Sequence, residues 1–163
     1  MIRKILKITA IAAAVIFFGI QLYRPNRTHP PIVEAETLEP SAAVPDDVAA
    51  ILKRSCNDCH SHTTLFPWYS NIAPFSWVLI DHVDHGRSHL NFSVWNTYET
   101  TKKIRKLEEI CEQLESKAMP LPSYLWLHRD AILTDDDSKV LCDWAIEQKE
   151  KLLSSPTLAP SKL

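Results

Sequence analysis

The chain has 163 residues, 18 Lys+Arg against 20 Asp+Glu, a formal net charge of −2 and 45% hydrophobic residues. That length suits one domain with accessories, and the balance lacks the basic excess of a general nucleic-acid binder. Two glycines against eleven prolines cannot supply the turns of a many-stranded sandwich or barrel, nor a Gly-rich phosphate loop, and the chain is too short for a (β/α)8 barrel.

The N-terminus opens with Arg3, Lys4 and Lys7, followed by an apolar run from Ile8 to Tyr23. A basic start before an apolar stretch is an export signal. No small-x-small cleavage site follows, and the run passes directly to Tyr23, Arg24 and Pro25. Residues 1–23 are therefore expected to form an uncleaved signal-anchor helix, long enough to span if Ile5 and Leu6 are included and Lys7 snorkels. The basic residues orient the N-terminus to the cytoplasm and the remainder outside. Signal cleavage and secretion is the alternative. Residues 24–45 hold five prolines, mixed charge and no helical apolar period. They read as a semi-extended linker that holds a domain off a membrane surface.

The folded part is expected over residues 46–153. Pro45, Asp46 and Asp47 start a helix, with Val48, Ile51, Leu52 and Ser55 on one face leading into Cys56. A second helix is predicted from Phe75 to His85, ended by Gly86 at a C-terminal cap. Ser93 reads as the N-cap of a long third helix from Val94 to about Ser116. Thr134 with Asp137 resembles a capping box for a last helix carrying Val140, Leu141, Trp144 and Ala145. No stretch alternates as a strand and no hairpin signal occurs. The fold class is all-α, with irregular connections at 61–74 and 117–133. Residues 154–163 (SSPTLAPSKL) read as a flexible tail.

Cys56-Asn57-Asp58-Cys59-His60 is C-x-x-C-H, the pattern of c-type haem attachment. Two thiols three positions apart reach both vinyl groups of one haem, and the adjacent His is then under the iron as proximal ligand. Rival readings are a thioredoxin-like redox pair, which needs a βαβ context, a zinc site completed by Cys111 and Cys142, and a disulfide between Cys56 and Cys59. The export signal favours haem, because c-type haem is attached after export.

Met119 is the one methionine besides Met1. It lies past a predicted helix and directly before Pro120-Leu121-Pro122, a stiffened loop that can present its sulfur as the second axial ligand. A gap-filling core role is the alternative. Bis-His ligation is another, with His62, His82, His85, His89 and His128 available. Cys111 and Cys142 fall on apolar faces of two helices, and in an oxidising compartment they most simply pair. Pro67, Trp68, Tyr69, Ile72, Pro74 and Trp77 supply rigid apolar surface after the attachment site, with Trp68 and Tyr69 carrying polar handles. Arg87 and His89 are propionate candidates on charge grounds.

These residues resemble the haem-binding domain family of small exported bacterial c-type cytochromes. The likeness covers roughly Asp47 to Ile146. It rests on Cys56-x-x-Cys59-His60, the run Phe66-Pro67-Trp68-Tyr69-Ser70-Asn71-Ile72-Ala73-Pro74, Gly86-Arg87, His89-Leu90-Asn91-Phe92-Ser93, Met119-Pro120-Leu121-Pro122-Ser123-Tyr124, His128 and Leu141-Cys142-Asp143-Trp144. The resemblance implies one covalent haem c per chain, with His60 proximal and Met119 distal. Lys117 departs from the pattern, standing where a glycine is expected two places before the Met.

The expected function is single-electron transfer by a membrane-anchored cytochrome at the periplasmic face, without substrate turnover. The alternatives are a peroxidase-type haem enzyme or subunit, and a haem-based sensor in which a diatomic ligand displaces Met119. Residues 1–41 carry five basic and three acidic residues, and residues 42–163 carry thirteen and seventeen. The acidic domain points to a redox partner with a basic docking surface.

Overall fold

Helix α2, Asp46–Ser55, buries Val48, Ile51, Leu52 and Ser55, the four positions that the sequence period puts on one face. Pro45 stands at its N-cap, and Asp47 accepts the Val48 N–H at 2.8 Å. The structure, a computed structural model, describes residues 1–40 and 42–155. Among these the chain is all-helical. Helix α1 spans Ile2–Ile20, α3 Asn57–His60, α4 Phe75–His89, α5 Thr100–Glu115, α6 Pro122–Leu125 and α7 Asp135–Ser154. Short 3-10 turns occupy Glu34–Glu36, Trp68–Asn71, Phe92–Thr97 and Arg129–Ala131, so the connections at 61–74 and 117–133 are not wholly irregular.

The core lies where α2, α5 and α7 meet the Phe92–Thr97 turn. Val48, Leu52, Phe92, Trp95, Leu107, Leu114, Leu141 and Trp144 are all buried there. Helix α7 starts with the predicted capping box. The Thr134 hydroxyl accepts the Asp137 N–H at 3.0 Å, and the Asp137 carboxylate accepts the Thr134 N–H at 2.9 Å. Cys111 on α5 and Cys142 on α7 form a disulfide with Cα atoms 5.0 Å apart.

The expected third helix from Val94 to Ser116 is two elements. Tyr98 is extended (φ −76°, ψ 138°) and Val94 leaves helical geometry (φ −129°, ψ 21°). Asn91, not Ser93, caps the turn by accepting the Ser93 N–H at 3.0 Å. The Ser93 hydroxyl instead accepts the His62 N–H at 2.9 Å. A tertiary bond thus claims the side chain that looked like a local cap. Helix α4 likewise runs past Gly86 to His89. Gly86 does not end the helix; it serves a close approach described below.

The N-terminal segment also departs from expectation. Helix α1 forms, but among the described residues no helix is long and apolar enough to cross a membrane. Arg3, Lys4 and Lys7 lie inside α1, so its charge-free part is residues 8–20. At ~1.5 Å per residue that is about 20 Å, short of the ~30 Å hydrocarbon core. None of α1 is buried. Its C-cap is fastened to the domain: Gln21 Nε2 donates to Ala73 O at 3.1 Å, and Gln21 Oε1 accepts the Ala73 N–H at 2.8 Å.

Residues 24–45 are not a free spacer. Leu38 and Ala42 belong to the core, and the Leu38 N–H donates to Phe92 O at 2.9 Å. Arg27 donates to Asn71 Oδ1 at 2.6 Å and to Ser70 O at 3.2 Å. Asn96 Nδ2 donates to Ala35 O and Thr37 O at 2.8 and 3.0 Å. The strap contains the Glu34–Glu36 turn, and its few apolar and polar anchors fix it along the domain. Of the expected tail, Ser154 ends α7 and Ser155 caps it; residues 156–163 lie outside the described residues.

Candidate haem site

Cys56 stands at the junction of α2 and α3, and Cys59 and His60 lie on α3 itself. Both thiols are free. Burial raises them, Cys56 to about 12 and Cys59 to about 11, with the Asp58 carboxylate adding to the rise of Cys59. They are therefore neutral S–H groups at neutral pH. Cys111 and Cys142, bonded to one another, cannot complete a zinc site with them. Among the described residues no group of three or more His, Cys, Asp or Glu can hold a metal ion.

His60 is set by backbone carbonyls. Its Nδ1 lies 2.9 Å from Leu90 O and 3.1 Å from Gly86 O. A carbonyl only accepts, so Nδ1 carries the proton and the Nε2 lone pair is left for a metal. Burial holds the imidazole below its usual pKa range, outweighing the two carbonyl bonds that favour the charged form. A neutral imidazole with a fixed tautomer is the form that ligates iron.

This geometry depends on Gly86. A Cβ there would stand 2.5 Å from Cys59 O and 3.1 Å from Cys59 Cβ. Only a residue without a side chain lets α4 pass this close to α3 and bring the Gly86 carbonyl to His60 Nδ1.

Cys56, Cys59, His60, Tyr69, His89 and Met119 line one cavity of about 1000 Å³. That is at the upper end of the roughly 300–1,000 Å³ of small-molecule and cofactor sites. Its walls are mostly apolar, with Leu52, Val83, Phe92 and Leu141 among them. Size, apolar walls, paired thiols and a pre-set imidazole all fit a haem.

Two sequence candidates stand elsewhere. Trp68 is 75% exposed and does not line the cavity. Arg87 is turned to the loop after the motif: Nε donates to Ser61 O at 2.8 Å and Nη2 to Thr64 Oγ1 at 3.0 Å. It braces that loop rather than facing the cavity. Among the histidines, His62 is removed from ligation. Its Nδ1 meets Pro31 O at 3.2 Å and its Nε2 meets Asn91 Nδ2 at 3.0 Å. His82, His85, His89 and His128 do line the cavity. Both nitrogens of His128 are engaged, with Tyr124 O at 3.0 Å and the Tyr69 hydroxyl at 3.4 Å.

Sequence reasoning missed Lys106, Tyr124 and Asp58. Lys106 lines the cavity at 6% exposure, paired with Glu109. A Lys on an otherwise charged helix reads as solvated, and nothing local marks it as buried. Tyr124 donates to Asp58 Oδ2 at 2.7 Å, and its hydroxyl is held protonated, well above the usual phenol range, by burial and by that carboxylate.

A family model described as a haem-binding domain matches residues 15–147. The chain belongs to the haem-binding domain family. The match to this family begins inside α1 and takes in the whole 24–45 strap, in keeping with the strap's packing on the haem-binding domain. No curated protein and no solved structure matches the chain.

Proposed function

We propose that this haem-binding domain carries one haem c, joined through thioethers to Cys56 and Cys59, and passes single electrons on the extracytoplasmic side of a membrane. The observation that carries the reading is His60: with Nδ1–H given to Leu90 O and Gly86 O, its Nε2 is the free donor in a cavity that also holds two free thiols and Met119. A bound haem would supply one-electron Fe(III)/Fe(II) exchange. His60 Nε2 and the Met119 sulfur would both hold the iron, leaving no position for a substrate. Met opposite His raises the potential relative to a second His. Cys56 and Cys59 make the attachment permanent, and the apolar walls exclude water. Lys106 and His89 line the cavity and would offer hydrogen-bond donors to the propionates.

The basic start and short apolar stretch of α1 suit an export signal, whose apolar core runs to ~7–15 residues. We place the domain outside the cytoplasm on that ground. Its acidic surplus suits a partner with a basic docking face, so transfer should slow as salt rises. A haem-stained denaturing gel with an absorbance spectrum tests the central reading. Haem that stays with the chain after denaturation, with a low-spin ferric spectrum, supports it. Haem lost on denaturation, or a high-spin ferric state that reacts rapidly with peroxide, contradicts it.

A further inference from the structure

Asp58 lies between the two attachment cysteines, yet its carboxylate reaches outside α3. Oδ1 accepts the Leu65 N–H at 2.9 Å, and Oδ2 accepts the Tyr124 hydroxyl at 2.7 Å. Tyr124 belongs to α6, and the segment joining it to Met119 contains Pro120 and Pro122. The Tyr124 ring is itself held: it stacks on His128 with centroids 4.0 Å apart and planes at 10°. His128 in turn meets the Tyr69 hydroxyl at 3.4 Å. On its other side Met119 is tied to α5, its N–H donating to Gln113 O at 3.3 Å.

Resting on Met119 as the sixth ligand, we propose that the Asp58–Tyr124 hydrogen bond is a latch that holds the Met119 loop to the haem-attachment helix, with Tyr124 a positioning residue for Met119. The two prolines leave the segment between latch and ligand few backbone conformations. Fixing Tyr124 therefore limits how far Met119 can swing. Because the acceptor sits inside the C-x-x-C-H turn, the latch ties the distal ligand to the same turn that carries the proximal one. A neutral donor on a carboxylate is among the stronger single hydrogen bonds a loop can use.

An added ligand such as imidazole competes with Met119 for one coordination position, so its apparent affinity follows the fraction of molecules in which Met119 has left. The haem-loaded full chain is titrated with imidazole by absorbance. Met119→Ala sets the tight-binding limit. Tyr124→Phe binds imidazole about tenfold more tightly than the unsubstituted chain, the scale of one charge-assisted hydrogen bond. Asp58→Asn keeps a weaker, neutral acceptor and so tightens binding less, and adds nothing in the Tyr124→Phe background, where that bond is already gone. Thr134→Ala, which removes the α7 cap but no cavity-lining side chain, leaves the affinity unchanged although its melting temperature falls. If Met119→Ala tightens binding while Tyr124→Phe does not, or if Thr134→Ala tightens it equally, the latch is wrong and the ligand assignment stands. If Met119→Ala itself changes nothing, both fall.

Discussion

The backbones of Gly86 and Cys59 touch: a Cβ on Gly86 would lie 2.5 Å from the Cys59 carbonyl oxygen. The obstacle is backbone, not the far end of a flexible side chain, so one helix must move. Gly86→Ala would gain the ~1 kcal/mol of helix propensity that Ala has over Gly. The overlap outweighs it, and we expect a net loss of about 1–3 kcal/mol. Since Gly86 O also accepts from His60 Nδ1, haem per chain should fall as well. Thermal melts and a haem-to-protein ratio check both effects; an Ala variant that melts higher and loads fully would contradict them.

Helix α5 ends with the Lys117 N–H on Leu114 O and the Ala118 N–H on Gln113 O, both at 3.0 Å. This is a Schellman end, and Lys117 takes its left-handed position at φ 54°. A side chain there costs ~1–2 kcal/mol, while glycine adds back some unfolded-chain entropy. Lys117→Gly should therefore stabilise by about 0.5–1 kcal/mol. The ion pair it removes, to Asp135 at 3.4 Å, joins two highly exposed groups and is worth little. Denaturant titration would show the midpoint rise; a fall would mean that the loop needs the lysine.

The Cys111–Cys142 disulfide closes a loop across a sequence separation of 31, with Met119 inside it. On the chain-entropy view, replacing both cysteines by serine removes roughly 3–4 kcal/mol. Chemical denaturation of the Cys111→Ser/Cys142→Ser variant measures this, and an unchanged midpoint would show that α5 and α7 need no brace.

The acid limb of stability should contain Asp137. Its carboxyl is held below the usual range, first by the Thr134 N–H, then by the Thr134 hydroxyl and Arg54, the Arg54 contact being 2.9 Å. A depressed carboxylate contributes stability that is complete above its unfolded pKa, ~3.9. That contribution is lost as pH falls through the lower folded value. Asp137→Ala should cost about 1 kcal/mol at neutral pH, as lost caps do. The gap from the unsubstituted chain should narrow below pH ~4. Melting temperatures across pH test this, and a gap constant down to pH ~2 would contradict it.

Local signals in the sequence were read correctly where one helix could answer them. Val48, Ile51, Leu52 and Ser55 all face inward from α2, and Thr134 with Asp137 forms the capping box. Signals that depend on partners distant in sequence were not legible. Ser93 has the chemistry of a cap but is claimed by the His62 N–H. Gly86 has the chemistry of a helix end but is needed by Cys59. The cavity side chains Cys56, Cys59, His60 and Met119 were legible because their types are rare in this chain and closely spaced or isolated. Lys106 was not, since a lysine on a charged helix suits solvent equally well, and Tyr124 was not, since its partner Asp58 lies 66 residues away.

The most direct test of His60/Met119 haem ligation is the ferric spectrum and potential of Met119→Ala beside the unsubstituted chain. We expect haem to stay covalently attached, the weak far-red Met-to-iron band to disappear and the potential to fall. An unchanged spectrum and potential would contradict that ligation.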